Sequence, residues 1–180
     1  METMHTYEVR AKCTRLRSGV VAPNTVPHPI VFSAPPEFLG EPRVWTPEHF
    51  FVAALVSCYV STFSGIADAS KFSFIGLEVN AEGTLEKDGG GWRFTEVTLR
   101  PSLKIAREQD RQRASRLLEK AEQSCLIARS ISAKVTLAPV VRVVSEQELP
   151  LSTNPTNDTA GSGKETGAAL ASSSQLDVSK

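Results

Sequence analysis

The feature that most constrains the fold is an apolar segment over residues 50–60, which a helix-start signal precedes. Thr46 can act as the N-cap, Pro47 suits the first helical position, and Glu48 places a negative charge at the positive end of the helix dipole. The pattern predicts a helix that runs to about Asp68 with apolar side chains on nearly every face. Such a helix is surrounded by protein. Because a monomer of 180 residues rarely encloses one completely, we expect a partner subunit.

Length, charge and cysteine content narrow the class of protein. A chain of 180 residues suffices for one domain with a proper core. The 20 basic and 20 acidic residues balance, which gives no indication of a nucleic acid or an anionic membrane as partner. The first seven residues lack a signal-peptide core, and the run 50–60 is too short to span a bilayer. Three widely spaced cysteines do not resemble a secreted disulfide framework. We therefore expect a soluble, cytoplasmic protein.

The composition changes sharply near residue 146. From Leu151 to Lys180 there is no aromatic residue, and Ser, Thr, Gly, Ala and Asn dominate. Such a segment has too little apolar surface to offset the entropy lost on ordering. The sequence therefore predicts one folded domain over residues 1–146 and a disordered tail over residues 147–180.

The N-terminal part of the domain is predicted to be extended. Apolar and polar residues alternate over 7–13, which is typical of a half-buried strand. Seven prolines between residues 22 and 47 exclude a helix there and favour edge segments and turns, with a short strand over 30–32.

The part after the central helix is predicted to contain a hairpin, a helix and a last strand. Alternation over 74–86 and 92–105, around an Asp-Gly-Gly-Gly turn, predicts the hairpin, with a bulge between Phe94 and Val97. An amphipathic helix follows over 107–125, and a strand over 135–144 contains Pro139. The order β–β–helix–β–β–helix–β predicts an α+β domain.

Two cysteines raise the main functional question. Cys58 lies in the apolar helix, and Cys125 lies at the end of the amphipathic one. Either both are small apolar residues of the core, as free cysteines often are, or they are a reactive thiol and its resolving partner. Cys13 is interpreted as a filler in the first strand. The three histidines, His5, His28 and His49, lack the spacing of metal ligands, so no metal site is predicted.

Three motifs carry a resemblance to a known family. They are Ser-Ala-Pro-Pro-Glu-Phe-Leu-Gly over 33–40, Trp-Thr-Pro-Glu-His-Phe-Phe-Val-Ala-Ala-Leu-Val-Ser-Cys over 45–58, and Ala-Glu-Gln-Ser-Cys over 121–125. In this order and spacing they resemble the OsmC/Ohr family of osmotically inducible and organic hydroperoxide resistance proteins, over roughly residues 5–145. The resemblance implies an α+β, OsmC-like fold with antiparallel sheets and two main helices, in an intertwined homodimer.

The resemblance also implies a reaction and the residues for it. Well-studied members reduce organic hydroperoxides with two cysteines, which makes Cys58 the peroxidatic thiol and Cys125 the resolving one. The sulfenic acid formed on the first thiol condenses with the second to a disulfide. An external dithiol, lipoyl-type in some members, then reduces the disulfide. Neither a metal nor a flavin cofactor is implied.

The thiolate needs a positive charge, because burial alone disfavours it. In the family an arginine from the N-terminal strands supplies the charge, and the glutamate at the position of Glu48 orients it. Arg15 and Arg17 are both close to the right spacing; Arg17 is preferred, because the Ser-Gly pair after it resembles the family's turn. Glu48 and Cys58 are ten residues apart, about 15 Å along a helix. If both residues serve one site, then an arginine bridges them or the glutamate comes from the other subunit, and in either case we expect the site at or near the dimer interface.

One departure from the family keeps a second hypothesis open. Many members have proline directly after the second cysteine, whereas this chain has Leu126. With the unsettled arginine, this favours the alternative of a non-catalytic OsmC-like protein that binds a small apolar ligand in the interface pocket. A third interpretation is a purely structural dimer.

Overall fold

The computed structural model describes residues 4–144, and the predicted tail over 147–180 lies outside them. The helices and strands follow in this order: β1 (Arg10–Arg15), β2 (Ser18–Ala22), β3 (Ile30–Ser33), α1 (Pro47–Ala69), β4 (Gly76–Asp88), β5 (Gly91–Ile105), α2 (Arg111–Ser124), α3 (Leu126–Ser130), β6 (Lys134–Leu137) and β7 (Val140–Val143). Short 3-10 turns lie at Pro36–Phe38 and Glu108–Asp110.

The strands form two sheets. The first is antiparallel, in the order β1-β2-β3. In the second, the long strand β5 pairs antiparallel with β4 and parallel with both β6 and β7. The predicted bulge is confirmed, since Thr84 pairs with Glu96 while Leu85 pairs with Phe94. The predicted α+β class is confirmed by this architecture.

The core lies between the second sheet and the two main helices. Alternate residues of β5 are buried, as are the facing positions of α1 and α2: Val97, Leu99, Leu103, Ile105, Leu55, Tyr59, Phe63, Ala114, Leu118 and Ala121. Each large apolar side chain contributes about 1.5–3 kcal/mol by burial. The Tyr59 hydroxyl donates to the carbonyl oxygen of Leu118 at 3.2 Å, which ties α1 to α2.

Helix α1 is longer than its apolar run and has two different faces. Leu55, Tyr59, Phe63 and Ala67 recur every four residues and are buried. The exposed positions in the middle of the helix carry small side chains: Ala54, Ser57, Ser61 and Ser64. By length and composition alone this 23-residue helix, which contains an 18-residue window with a mean hydropathy of 1.8, is sufficient to cross a membrane. Core helices pass the same test, and the buried stripe of α1 packs on α2 and β5.

Three expectations about the elements were wrong in detail. The Ser18-Gly19 pair does not form a turn: both residues are buried at the start of β2, a strand that was not predicted. The turn lies at Leu16-Arg17, where Arg17 has φ of 64°. A Cβ on Gly19 would lie 2.5 Å from the Lys12 carbonyl oxygen, so close strand packing explains this glycine. The single last strand that was predicted is divided into two strands, β6 and β7. Pro139 lies between them, and it has no N–H to donate to a neighbouring strand. The second main helix begins at Arg111, four residues later than predicted.

Candidate thiol site

The fold brings Cys58 and Cys125 together. Cys58 lies in the middle of α1 and is half-buried, whereas Cys125 is fully buried in the extended link between α2 and α3. The Cys125 thiol is a hydrogen-bond donor to the sulfur of Cys58. Within residues 4–144 all three cysteines are free. Cys13 lies in β1 as predicted, but it is exposed and its thiol donates to the Arg15 carbonyl oxygen at 3.0 Å.

The surroundings of Cys58 favour its thiolate. Burial raises the pKa of Cys58, but four hydrogen bonds to the sulfur outweigh burial and hold the pKa below the ordinary value. The donors, in order of effect, are the backbone N–H of Ile127, the Cys125 thiol, the Thr62 hydroxyl and the backbone N–H of Leu126. Thr62 lies one helical turn after Cys58, with its oxygen 4.0 Å from the sulfur.

Cys125 is affected in the opposite direction. Burial raises its pKa, and the negative charge that develops on Cys58 raises it further. The backbone N–H of Ala128, 3.5 Å from the Cys125 sulfur, lowers this pKa, but by less than burial and Cys58 raise it. The pKa of Cys58 is therefore lowered and that of Cys125 is raised, so that Cys58 is the one of the two thiols that loses its proton more readily.

Leu126 contributes to the site through its backbone rather than its side chain. Its side chain is 70% exposed, and it is the first residue of α3. Its N–H is one of the donors to Cys58. Proline has no N–H and could not make this bond. The departure from the family's proline therefore adds a hydrogen bond to the sulfur.

Glu48 lies in the first turn of α1 and faces a cleft of about 370 Å³. The other walls of the cleft are mainly apolar: Pro35, Pro36, Leu85 and Phe94. The Oε2 atom of Glu48 is buried and finds no hydrogen-bond donor among residues 4–144. A carboxylate oxygen without a donor costs about 1–3 kcal/mol. Because α1 is continuous between Glu48 and Cys58, the two residues lie about 15 Å apart along it and do not touch.

The two candidate arginines differ in their partners. Arg15 forms an ion pair with Glu41 at 3.3 Å, and Glu41 also accepts from the buried Ser18 hydroxyl. Arg17 is exposed in the β1–β2 turn, and its side chain forms no ion pair within residues 4–144. In the described part of the chain neither guanidinium contacts Glu48 or Cys58. The described part of the chain therefore brings the two cysteines together, but not the arginine and the glutamate.

Sequence reasoning missed the role of His49. Its Nδ1 accepts a hydrogen bond from the backbone N–H of Thr46 at 3.2 Å, while its own backbone N–H donates to the Thr46 hydroxyl at 3.3 Å. This is a capping box with histidine at the third helical position. The usual sequence signature has Glu or Gln there, so the pattern Thr-Pro-Glu-His gave no signal for it.

Comparison with known proteins places the chain in a family. The family model described as OsmC-like protein matches residues 40–139, which is more than half of the chain. The chain belongs to the OsmC-like protein family. The uncharacterized protein YmaD of Bacillus subtilis is 29% identical over 108 residues, covering 58% of this chain and 72% of that protein.

Solved structures show the same fold. An OsmC-like protein of unknown function from Vibrio cholerae is similar with a TM-score of 0.68 and 24% identity, over 76% of this chain and 100% of that one. An organic hydroperoxide resistance protein OsmC from Legionella pneumophila is similar with a TM-score of 0.64 and 22% identity, over 79% and 100%. The organic hydroperoxide resistance protein OhrB of Bacillus subtilis has a TM-score of 0.57 and 20% identity, over 77% and 98%. The family thus includes both organic hydroperoxide resistance proteins and members of unknown function.

Proposed function

We propose that this protein is a thiol-dependent peroxidase that reduces organic hydroperoxides to alcohols. The observation that carries the proposal is the pairing of Cys58 with Cys125, in which the surroundings favour a thiolate at the first and a protonated thiol at the second. Two cysteines that served only as core filler would have no need of four donors around one sulfur. Membership of a family that includes organic hydroperoxide resistance proteins supports the same reaction.

The reaction has three steps. The Cys58 thiolate attacks the terminal oxygen of ROOH; an S–O bond forms, the O–O bond breaks, and the alkoxide takes a proton and leaves as ROH. The sulfur is thereby oxidised to a sulfenic acid. The Cys125 thiol then attacks that sulfur, an S–S bond forms and water leaves. An external dithiol, lipoyl-type in related proteins, reduces the disulfide and is itself oxidised to a disulfide. We propose no metal or flavin for this cycle.

The position of Cys125 suits its proposed role. A resolving thiol has to remain unreactive toward peroxide and yet lie next to the sulfenic acid when it forms. Burial keeps Cys125 away from solvent, and its raised pKa keeps it protonated. Its hydrogen bond to Cys58 places its sulfur beside the one it would attack.

We assign Arg17 and Glu48 to the same cycle. The side chain of Arg15 is engaged by Glu41, which leaves Arg17 as the better candidate for the charge beside the Cys58 thiolate. The buried Oε2 of Glu48 lacks a donor in the described part of this subunit, and a guanidinium would supply one. We propose a cytoplasmic homodimer, in which the second subunit completes this arrangement.

To test this proposal, the protein is treated with an equimolar amount of cumene hydroperoxide. Its oxidation products are then identified by intact-mass measurement and peptide mapping. The wild type is expected to form a Cys58–Cys125 disulfide. Cys125→Ser is expected to hold a sulfenic acid at Cys58, which a dimedone adduct identifies. Cys13→Ser is the matched control, since it removes a thiol that lies outside the site, and it should behave like the wild type. Unmodified thiols at Cys58 in all three proteins would refute the peroxidase.

The apolar cleft beside Glu48 supports a second candidate function. Its size and its lining by Pro35, Pro36, Leu85 and Phe94 suit a small apolar ligand, as a non-catalytic OsmC-like binding protein would require. Alkylation distinguishes the two functions. A peroxidase has a Cys58 that reacts rapidly with iodoacetamide below pH 7, whereas a binding protein has two slow thiols and a ligand in the cleft.

A further inference from the structure

Arg17 has a backbone conformation that arginine rarely adopts. Its φ of 64° lies in the left-handed region, where the Cβ of a side chain comes too close to the following carbonyl oxygen. Glycine would meet the same turn without this strain, so an arginine here indicates that its side chain is used. That side chain is exposed and forms no ion pair within residues 4–144. The interactions that hold the turn therefore lie on its backbone.

Two groups of the loop over residues 33–41 hold the carbonyl oxygen of Arg17. The backbone N–H of Ala34 donates to this oxygen at 2.8 Å, and the Ser33 hydroxyl donates to it at 3.4 Å. Ser33 is fully buried, and its hydroxyl oxygen also accepts from the backbone N–H of Glu41 at 2.8 Å. Glu41 thereby fixes the orientation of the hydroxyl that contacts the turn.

The Glu41 carboxylate holds the turn from its other side. Ser18 directly follows Arg17, and its hydroxyl donates to Oε1 of Glu41 at 3.0 Å. Because Ser18 is only 7% exposed, this bond to a charged acceptor is largely shielded from water. The ion pair that Glu41 forms with Arg15 at 3.3 Å is exposed, and such pairs contribute little. The bonds to Ser18 and Ser33 are therefore the ones that secure the turn.

The loop reaches this position because its backbone closes on itself at Gly40. The Gly40 N–H donates to the Pro35 carbonyl oxygen at 3.0 Å. A Cβ on Gly40 would lie 1.6 Å from the Ala34 carbonyl oxygen, so only glycine fits at the crossing, and Glu41 follows it directly. The same loop forms one wall of the cleft beside Glu48. The β1–β2 turn and that wall thus belong to one hydrogen-bonded unit.

We propose that Glu41 is a positioning residue that holds the β1–β2 turn in its left-handed conformation. By doing so it places the Arg17 guanidinium for the Cys58 thiolate. The role of Arg17 rests on the proposed peroxidase, whereas the hold on the turn does not. Glu41 acts through its backbone N–H and one acceptor oxygen, so its exposed partner Arg15 is not required.

Amide hydrogen exchange of Ala34, measured by NMR on the full-length protein, tests the hold on the turn, because this N–H donates to the Arg17 carbonyl oxygen. Glu41→Ala is expected to lower the Ala34 protection factor by about three- to tenfold, as the loss of one hydrogen bond would. Glu41→Gln keeps an acceptor oxygen and should retain most of the protection. Arg15→Ala removes only the exposed partner of Glu41 and is the control. Wild-type protection of Ala34 in Glu41→Ala would overturn the proposal.

The rate of Cys58 alkylation by iodoacetamide at pH 7 gives the second readout. Glu41→Ala should slow it by about three- to tenfold in the wild type. It should not slow it further in Arg17→Ala, because the residue that Glu41 positions is then gone. Equal slowing in both backgrounds would overturn the positioning role, since a merely structural effect does not depend on Arg17.

The two measurements also separate this proposal from the peroxidase. An Arg17→Ala rate equal to that of the wild type would refute the assignment of Arg17, and with it the placing of its guanidinium, while the exchange of Ala34 would still decide whether Glu41 holds the turn. A wild type that does not turn over cumene hydroperoxide would refute the peroxidase instead. Neither measurement uses a peroxide, so both would remain decisive for Glu41.

Discussion

At the scale of single residues, the site depends on which atoms can donate to the Cys58 sulfur. Two of the four donors are backbone N–H groups, and both come from the start of α3, directly after Cys125. The residue that would resolve the sulfenic acid is thus joined to the backbone that stabilises the thiolate. This arrangement couples the two cysteines more closely than side-chain contact alone, because any shift of α3 changes the donors and the distance to Cys125 together.

Replacing Leu126 by proline removes one donor and little else. Proline suits the first position of α3, and Cys125 before it already has φ of −66° and ψ of 119°, which a following proline allows. We expect Leu126→Pro to raise the pKa of Cys58 and to slow its alkylation at pH 7 by about two- to fivefold, since one hydrogen bond of roughly 0.5–1 kcal/mol is lost. The measurement is the pH profile of iodoacetamide labelling, followed by peptide mass spectrometry.

The control for that change is Leu126→Ala, which keeps the N–H and shortens a side chain that is already 70% exposed. The Leu126→Ala variant should have the same pH profile of Cys58 labelling as the wild type. The rate should rise with pH and reach its plateau at a lower pH for Cys58 than for Cys125, because only the thiolate reacts. Equal profiles for Leu126→Pro and Leu126→Ala would mean that the backbone donor contributes nothing.

The two arginines provide a matched pair for the electrostatic part of the site. If Arg17 supplies the charge beside the thiolate in the assembled protein, Arg17→Ala should slow Cys58 alkylation at pH 7 by about tenfold or more, as expected for the loss of an adjacent opposite charge. Arg15→Ala removes an exposed ion pair to Glu41, so we expect less than about a twofold change. The reverse order would exchange the roles of the two residues.

At the scale of the elements, α1 unites the site with the core. The same helix bears Glu48 at its start, Cys58 at its middle and the buried stripe that includes Tyr59. Cys58 lies about 100° around the helix from Tyr59. Two neighbouring residues can therefore face different surroundings, Cys58 the thiol site and Tyr59 the core. The orientation of the thiol toward α3 therefore follows from how α1 is locked onto α2.

One hydrogen bond between α1 and α2, from the Tyr59 hydroxyl to the Leu118 carbonyl oxygen, can be removed without changing the packing of the ring. Tyr59→Phe keeps the buried ring but leaves the Leu118 carbonyl oxygen without the hydroxyl that donates to it at 3.2 Å. We expect the free energy of unfolding to fall by about 0.5–1.5 kcal/mol, with an unchanged slope against urea. Tyr7→Phe is the control, since Tyr7 is 90% exposed and should change stability little. A loss below the error of the urea titration in Tyr59→Phe would show that water replaces the bond.

The sequence predicted those elements whose signals are local. The start of α1 follows from Thr46 and Pro47, and the β4–β5 hairpin follows from its Asp-Gly-Gly-Gly turn, so both were predicted closely. Strand β2 was missed because its first two residues, Ser18 and Gly19, have the composition of a turn. Gly19 is buried against Lys12 and Phe32, and Ser18 is hydrogen-bonded to Ser33 and Glu41, contacts that have no local signal in the sequence. The pairing of Cys58 with Cys125 came from family resemblance, since a contact across 67 positions (125 minus 58) has no local signal. The His49 cap departs from the usual signature and was not predicted.

At the scale of the whole molecule, the N-terminal sheet is the part that a single subunit covers least. Every residue of β1 is exposed, and several large apolar side chains nearby face solvent: Tyr7 at 90%, Leu16 at 83%, Val9 at 65% and Val31 at 58%. Apolar surface of this extent on a small domain is typical of an interaction site. The turn of this sheet also carries Arg17, and the exposed face of α1 has small residues that permit close approach.

We therefore expect a homodimer in solution whose interface includes the N-terminal sheet. Val31→Glu places a charge in that surface and should convert the dimer to monomer at micromolar concentration, as sedimentation velocity would measure. Gln112→Glu adds the same charge on the exposed side of α2 and is the control. If the second subunit also completes the site, monomeric Val31→Glu should lose peroxidase activity and show slower Cys58 alkylation, although its own Cys58 and Cys125 still face each other. A wild type that sediments as a monomer at all concentrations and is active would contradict both parts, since one subunit would then suffice for the reaction.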